Sequence, residues 1–324
     1  MEDSITIVQH GGGWISNIGN AFIDYGSMYS LGQAAPEADV HLTSSFGRWI
    51  STQMNRGLRG VVFGSLGHID NAFNQVGSAD ADYIVQSGTC LSDHWMQLHG
   101  DVLLEAKDRG AELLLYGVGM TDDTYNEAEI EKTREWLERL EPYAFVSRDE
   151  RTYEAFDDVA DHSYNGIDCG FFSNHSHDPM PFDLDEYVVV NFDKRPEPDL
   201  AELGIHPDET VIRTHHSFWF DFPFTQYREM HNEYYNRDNV LISDVPTEYL
   251  DVYAGSAATY SDRVHACVAT LAYGHPAHLS HSTPRALLFE RVGMGDITQG
   301  LIEPDLEDLM EEKQAQIDFM SEIL

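Results

Sequence analysis

The sequence predicts an α/β protein of two Rossmann-like parallel-sheet lobes facing a cleft, and three observations carry that prediction. The chain has 324 residues, 42% of them apolar, enough to build two domains of ordinary size. Short apolar runs alternate with amphipathic stretches along most of it, the pattern of a parallel sheet covered on both faces. The alternation pauses once, where Pro179 and Pro181 fall in a stretch of little periodicity. Residues 173–186 therefore read as a linker between a first lobe, 1–172, and a second, 187–324.

In the first lobe the strand-like runs are Ile5–His10, Val40–Thr43, Val61–Gly64, Tyr83–Gln86, Leu113–Gly117 and Ala144–Ser147. Most are rich in β-branched or aromatic residues and end at turn signals. Helical patterns lie between them near 18–32, 46–58, 92–109 and 126–141. The last of these is the clearest, with Ile130, Trp136, Leu137 and Leu140 on one side. In the second lobe the strand-like runs are Tyr187–Phe192, Val211–His215, Val240–Ser243, Ala257–Tyr260 and Ala277–Leu279. Helices are expected near 225–236, 247–254 and 263–273. A final helix over 306–324 is of the kind that packs back on the first lobe in two-lobed proteins.

Charge narrows the partners. Acidic residues number 56 against 19 basic, a formal net charge of −37. Such a field repels nucleic acid and anionic membranes. It also destabilises a fold in dilute salt, where screening is weak. The surplus reads as adaptation to a salt-saturated cytoplasm. The start, MEDSITIVQH, lacks the basic and apolar segments of a signal peptide. No window approaches the roughly 18 apolar residues of a membrane span, so a cytoplasmic protein without stable membrane insertion is expected. Cys90, Cys169 and Cys267 are too scattered for a disulfide framework or a zinc site and read as small core residues.

Ligands in open parallel sheets bind beyond the carboxyl ends of the strands, so the loops after strands hold the candidates. After the first strand, Gly12 and Gly13 let the backbone approach a ligand, and Asn17 suits an N-cap whose helix start attracts an anion. Ser87 and Gly88, with Thr89, form a second small-residue loop. Gly117–Met120 is a third, as suited to packing as to ligand contact. Arg148 directly follows a strand and can contact an anion or pair with Asp149. Asp168 either faces the cleft or ends a strand. The segment Ser261–Ala277 is the strongest. Ser261, Arg263 and His265 sit at a predicted helix start, where the helix dipole favours an anion, Arg offers a planar fork and His holds a proton near neutral pH. His215 and His216 follow a second-lobe strand and can reach the cleft. The aromatics Trp219, Phe220, Phe222 and Phe224 suit a sugar platform or an apolar plug. His175, His177 and Asp178 have ligand-like spacing, but a solvated loop is the better reading, and no metal is expected.

The order of these motifs resembles the polysaccharide pyruvyl transferase family. The family's Asn-x-Gly-Asp element matches Asn17-Ile18-Gly19-Asn20, with Asn20 departing from its Asp. Its glycine/serine loop matches Ser87-Gly88-Thr89, thinned to one glycine. Its Ser-Arg-Asp followed by Thr matches Ser147, Arg148, Asp149 and Thr152. Its terminal Ser-x-Arg-x-His, then Ala, Gly and Pro, matches Ser261, Arg263, His265, Ala272, Gly274 and Pro276. The resemblance implies a GT-B-like fold and transfer of a pyruvyl group from phosphoenolpyruvate to a sugar or lipid-linked glycan, with no cofactor. It implies His265 as general acid and Arg263 as anion clamp, with Arg148 as a second anion contact. Asn17 and the glycine-loop amides would help position substrate, and Asp168 is the candidate base for the sugar hydroxyl. A GT-B glycosyltransferase or sugar-nucleotide enzyme, and a catalytically silent glycan- or anion-binding relative, stay open beside it. A homo-oligomer is open as well.

Overall fold

In the computed structural model, residues 4–45, 47, 73, 75–121, 126–217 and 233–324 are described. The strand expected at 61–64, most of the helices expected at 46–58 and 225–236, and Trp219, Phe220, Phe222 and Phe224 lie outside them. The described strands form two wholly parallel sheets. The first runs β2–β1–β3–β4–β5–β6, from β1 (Thr6–Gly11), β2 (Asp39–Ser44), β3 (Tyr83–Leu91), β4 (Glu112–Met120), β5 (Ala144–Ser147) and β6 (His162–Asn165). The second runs β10–β9–β7–β8, from β7 (Tyr187–Asn191), β8 (Thr210–Arg213), β9 (Ala258–Ser261) and β10 (Ala277–Leu279). The predicted α/β class with two parallel sheets is the one found.

Central strands are apolar because helices cover both of their faces. Every residue of β7 and β9 is buried, and β4 is exposed only at Glu112. Helix Asp93–Asp108 begins where Ser92 Oγ accepts the Trp95 N–H at 3.1 Å. Helix Glu127–Leu140 begins where Asn126 accepts the Glu129 N–H at 3.1 Å. Such caps satisfy amides that the helix itself leaves open. The apolar side foreseen for the second helix is the one used. Leu137 and Leu140 are fully buried, and Ile130 and Trp136 pack on the same core. The three cysteines are free and buried.

The chain clusters into two compact units assembled from separated segments. Unit 1 comprises Met1–Gly13, Ser30–Asp168 and Gln316–Leu324; unit 2 comprises Trp14–Tyr29 and Cys169–Ala315. Within unit 1 the end of helix Leu306–Ile323 lies along the β6 region. Gln316 Oε1 accepts the Ile167 N–H at 2.6 Å, Phe319 stacks on Tyr164 at 4.9 Å, and the Ile323 carbonyl accepts from Tyr143 Oη at 2.9 Å.

Two readings need correction. The run Val240–Ser243 is not a strand of the sheet. Only Val240 bridges to Arg213, because β8 itself ends there. The linker histidines do not lie in a free solvated loop. Ser173–Ser176 forms a helical turn, His177 Nε2 meets Asp251 Oδ1 at 2.6 Å, and His175 stacks on Tyr29. Among the described residues no group of three His, Cys, Asp or Glu side chains could hold a metal ion, and no helix is long and apolar enough to cross a membrane.

Candidate active site

Three adjacent strands of the second sheet, β8, β7 and β9, end side by side, and their carboxyl ends carry a dense polar cluster. It contains Asn191 at the end of β7 and Asp193 just beyond it, Thr214–Ser217 after β8, Ser261 at the end of β9, and Asp262, Arg263 and His265 beyond it. Nearly all are buried, with Asp193 at 3%, His216 at 0% and His265 at 3% exposure. Buried polar groups persist when they are mutually hydrogen-bonded, and most of these are.

Asp193 is the hub. One carboxylate oxygen, Oδ1, accepts from Arg263 Nε, while Oδ2 accepts the backbone N–H groups of His216 and Ser217 at 2.7 and 3.1 Å. His215 Nδ1 lies 3.7 Å from the same oxygen. Arg263 reaches Ser217 Oγ with its other branch. Burial opposes ionisation of Asp193, but Arg263, followed by His215 and His216, outweighs it and holds the carboxyl well below its ordinary range. Its neighbour Asp262 accepts three successive backbone amides, of Asp193, Lys194 and Arg195, at 3.2, 2.9 and 2.8 Å. Burial, with the Asp193 charge added, pushes the Asp262 carboxyl up to about 6.

A second line of hydrogen bonds stiffens the same strand ends. Ser261 Oγ accepts the Arg263 N–H at 2.8 Å and donates to Asn191 Oδ1 at 3.1 Å. Asn191 Nδ2 donates to Thr214 Oγ1 at 3.0 Å, Thr214 meets Tyr253 Oη at 2.9 Å, and Tyr253 meets His216 Nε2 at 2.6 Å. Burial, ahead of the opposing attraction of Asp193, drives the His216 imidazole down to about 3, so it is neutral at physiological pH.

The loop before helix Gly19–Ala34 belongs to this cluster. The Ile18 N–H donates to the His216 carbonyl at 2.8 Å. A methyl group placed on Gly19 would lie 2.8 Å from His265 Cβ and 3.3 Å from His216 Nδ1. The glycine is required by that close approach. Asn17 Oδ1 accepts the Gly19 N–H at 3.3 Å, two residues ahead of the helix rather than at its cap position, and Asn17 Nδ2 donates to Asn20 Oδ1 at 3.0 Å. Position 20 thus uses a side-chain oxygen as acceptor, which an Asp there would equally supply.

Of the candidates drawn from sequence, the structure brings together Asn17, His215, His216, Ser261, Arg263 and His265 in unit 2. The others lie in unit 1. Gly12 and Gly13 lead from β1 to the turn Trp14–Ser16. Ser87 accepts from Gln9 Nε2 at 2.7 Å, and Gly88 takes φ 79° inside β3, a left-handed value that favours glycine. Arg148 and Asp168, sought as an anion contact and a base, are each other's partner. Arg148 Nη1 donates to Asp168 Oδ2 at 2.7 Å, and both side chains are enclosed. Gly119 makes room for this pair, since a Cβ there would overlap the Arg148 side chain. Asp149 caps helix Glu150–Phe156, accepting from Thr152 N and Oγ1 at 2.8 and 2.9 Å, so half of the Ser-Arg-Asp…Thr motif is a helix start. Sequence reasoning missed Asp193, Ser217 and Tyr253. The signal for Asp193 was its place just past the end of the apolar run Tyr187–Val190.

The model of the polysaccharide pyruvyl transferase family matches residues 17–279. No curated protein matches the sequence. The fold is similar to that of the UDP-GlcNAc 2-epimerase from Neisseria meningitidis bound to UDP-GlcNAc. The two are 11% identical over 98% of this chain and 94% of that one, with a TM-score of 0.54. It is similar to the same degree, TM-score 0.54, to S. aureus MnaA in its co-structure with UDP, at 10% identity over 98% of this chain and 91% of that one. At such identities the likeness concerns fold alone.

Proposed function

Because this chain belongs to the polysaccharide pyruvyl transferase family, we propose that it moves a pyruvyl group from phosphoenolpyruvate to two hydroxyls of a glycan sugar, closing a ketal. The reaction has fixed demands. The enol CH2 must gain a proton, which leaves an oxocarbenium-like carbon. Two hydroxyl oxygens must bond to that carbon and give up their protons, one balancing the proton gained by the methyl group and one leaving with phosphate. The phosphate carries off the electron pair of the broken C–O bond and needs cationic or dipolar support as it departs.

The single observation that carries the reading is the convergence of Arg263, His265 and the amide-rich start of helix Val264–Ala272 on one cluster of strand ends. We assign His265 the proton for the enol carbon and Arg263 the donor's anionic groups, with the helix start adding its dipole. Asn17 and Ser261 fix the loops on either side, and His215 and His216 complete the wall. No base role is given to Asp168, whose carboxylate Arg148 already occupies.

The test is phosphate release from phosphoenolpyruvate in molar KCl with glycan precursors as acceptors, followed by mass analysis of the acceptor. Wild type should release phosphate and pyruvylate the sugar. His265→Ala should lower turnover by about 10²–10⁴-fold, the usual contribution of a general acid. Near-wild-type turnover in that variant would sink the acid assignment. A second reading, a sugar-nucleotide enzyme, takes its substrate class from the names of the fold relatives. Saturable binding of UDP-GlcNAc with no response to phosphoenolpyruvate would select it.

A further inference from the structure

We propose that Asp193 is the positioning residue of this site: it orients the Arg263 guanidinium toward an anionic substrate and locks three strand ends into one rigid rim. The inference rests on the reading of Arg263 as the anion clamp. Nothing in the family resemblance singled this residue out; the geometry does.

The two oxygens of Asp193 serve different elements. Oδ1 takes Arg263 Nε, at the start of the helix after β9. Oδ2 takes two backbone amides of the turn after β8. The carboxylate itself stands just after β7, so one side chain joins all three strand ends. Its own backbone is fixed in turn, because the Asp262 carboxylate holds the amides of Asp193, Lys194 and Arg195. Ser217, whose amide is bound by Asp193, returns a side-chain contact to Arg263. The guanidinium is thereby held along its Nε edge and at one terminal nitrogen. The Arg263 side chain keeps 11% exposure while that of Asp193 has none. A held but partly open arginine is what bidentate recognition of a phosphate or carboxylate needs.

Only a carboxylate can do this. Asparagine presents one acceptor and one donor, so its NH2 would face either Arg263 Nε–H or the amides of His216 and Ser217. The substitution also removes a negative charge beside the anion site. Two roles for Asp193 therefore predict opposite outcomes. If Asp193 is merely a counter-charge, Asp193→Asn tightens anion binding. If it positions Arg263, the same change loosens it, since small misplacements of a binding group are costly.

The experiment is calorimetric titration of phosphoenolpyruvate into wild type, Asp193→Asn and Ser217→Ala in molar KCl, with steady-state phosphate release alongside. Asp193→Asn should raise Kd and KM on the order of tenfold while kcat changes by less than about threefold. Ser217→Ala, which leaves every bond to Asp193 in place, should shift both constants the same way by a smaller factor. Equal or tighter binding in a folded Asp193→Asn protein overturns the proposal, as does a fall in kcat at unchanged KM. Should Asp193→Asn fail to fold, an unchanged KM in Ser217→Ala overturns it instead. If wild type neither binds nor turns over phosphoenolpyruvate, the functional reading falls separately. Asp193 is then judged by the NMR signal of Arg263 Nε–H, expected to exchange slowly in wild type and to be lost in Asp193→Asn. Fast exchange in wild type would refute the proposal.

Discussion

The neutral state of His216 has a measurable cost in acid. Its folded pKa, about 3, lies below the ordinary value near 6.5, with burial as the largest cause. A depressed histidine stabilises the fold fully above pH 6.5, and that contribution is lost as pH falls toward 3. His216→Asn removes the titration while keeping a polar side chain. The stability difference between wild type and this variant, from urea unfolding in molar KCl, should shrink by on the order of 1–2 kcal/mol between pH 7 and pH 5. Asp262 also titrates near this window, but it does so in both proteins and cancels. A difference that stays constant with pH would mean that His216 is not buried in its neutral form. At this scale the sequence was legible for cations and opaque for anions. Arg263 and His265 stood out because basic groups are scarce. Asp193 is one acid among 56, and its only mark is its place just past an apolar strand, which a solvated surface charge can equally occupy. Arg148 shows the reverse error, since a scarce cation after a strand turned out to be held by a carboxylate twenty positions on.

Two of the three glycines in helix Gly19–Ala34 have opposite duties. A side chain at Gly19 would collide with His265 and crowd His216, whereas a Cβ at Gly32 meets nothing within 4 Å. Gly19→Ala should therefore destabilise the protein by about 1–3 kcal/mol through overpacking. Gly32→Ala should stabilise it by about 0.5–1 kcal/mol through helix propensity. Thermal or urea unfolding of both variants decides the matter, and an equal effect of the two would contradict the packing described at Gly19. Strands with apolar runs, such as β4, β5 and β7, were readable because burial on both faces leaves little choice of residue. β6 was not readable. Its residues, His162-Ser163-Tyr164-Asn165, sit at the sheet edge, are only half-buried and carry no apolar run. The segment Val240–Ser243 misled for the complementary reason. It is apolar, yet it makes only one bridge, and Ile242 is exposed.

At the scale of the whole chain, 56 acids against 19 basic residues set the conditions under which the fold holds. Repulsion among exposed carboxylates acts over about 10 Å at 0.1 M salt and only about 3 Å at 1 M. The unfolding midpoint should therefore climb steadily with KCl concentration up to molar levels. A flat or falling midpoint in a scanning calorimetry series would show that the acids are already neutralised within the fold. The two units have a further property, which concerns the order in which the chain is made. Unit 1 contains β1–β6, but it also needs Gln316–Leu324, which supplies the contacts to Tyr143, Tyr164 and Ile167. Unit 2 takes in Trp14–Tyr29, whose Gly19 packs against His265, from between two segments of unit 1. Neither unit is complete when the ribosome passes the junction at Asp168–Cys169. The strands of the first sheet can pair before Gln316–Leu324 is made, but Tyr143, Tyr164 and Ile167 gain their helix contacts only after the whole of Cys169–Ala315 has been synthesised.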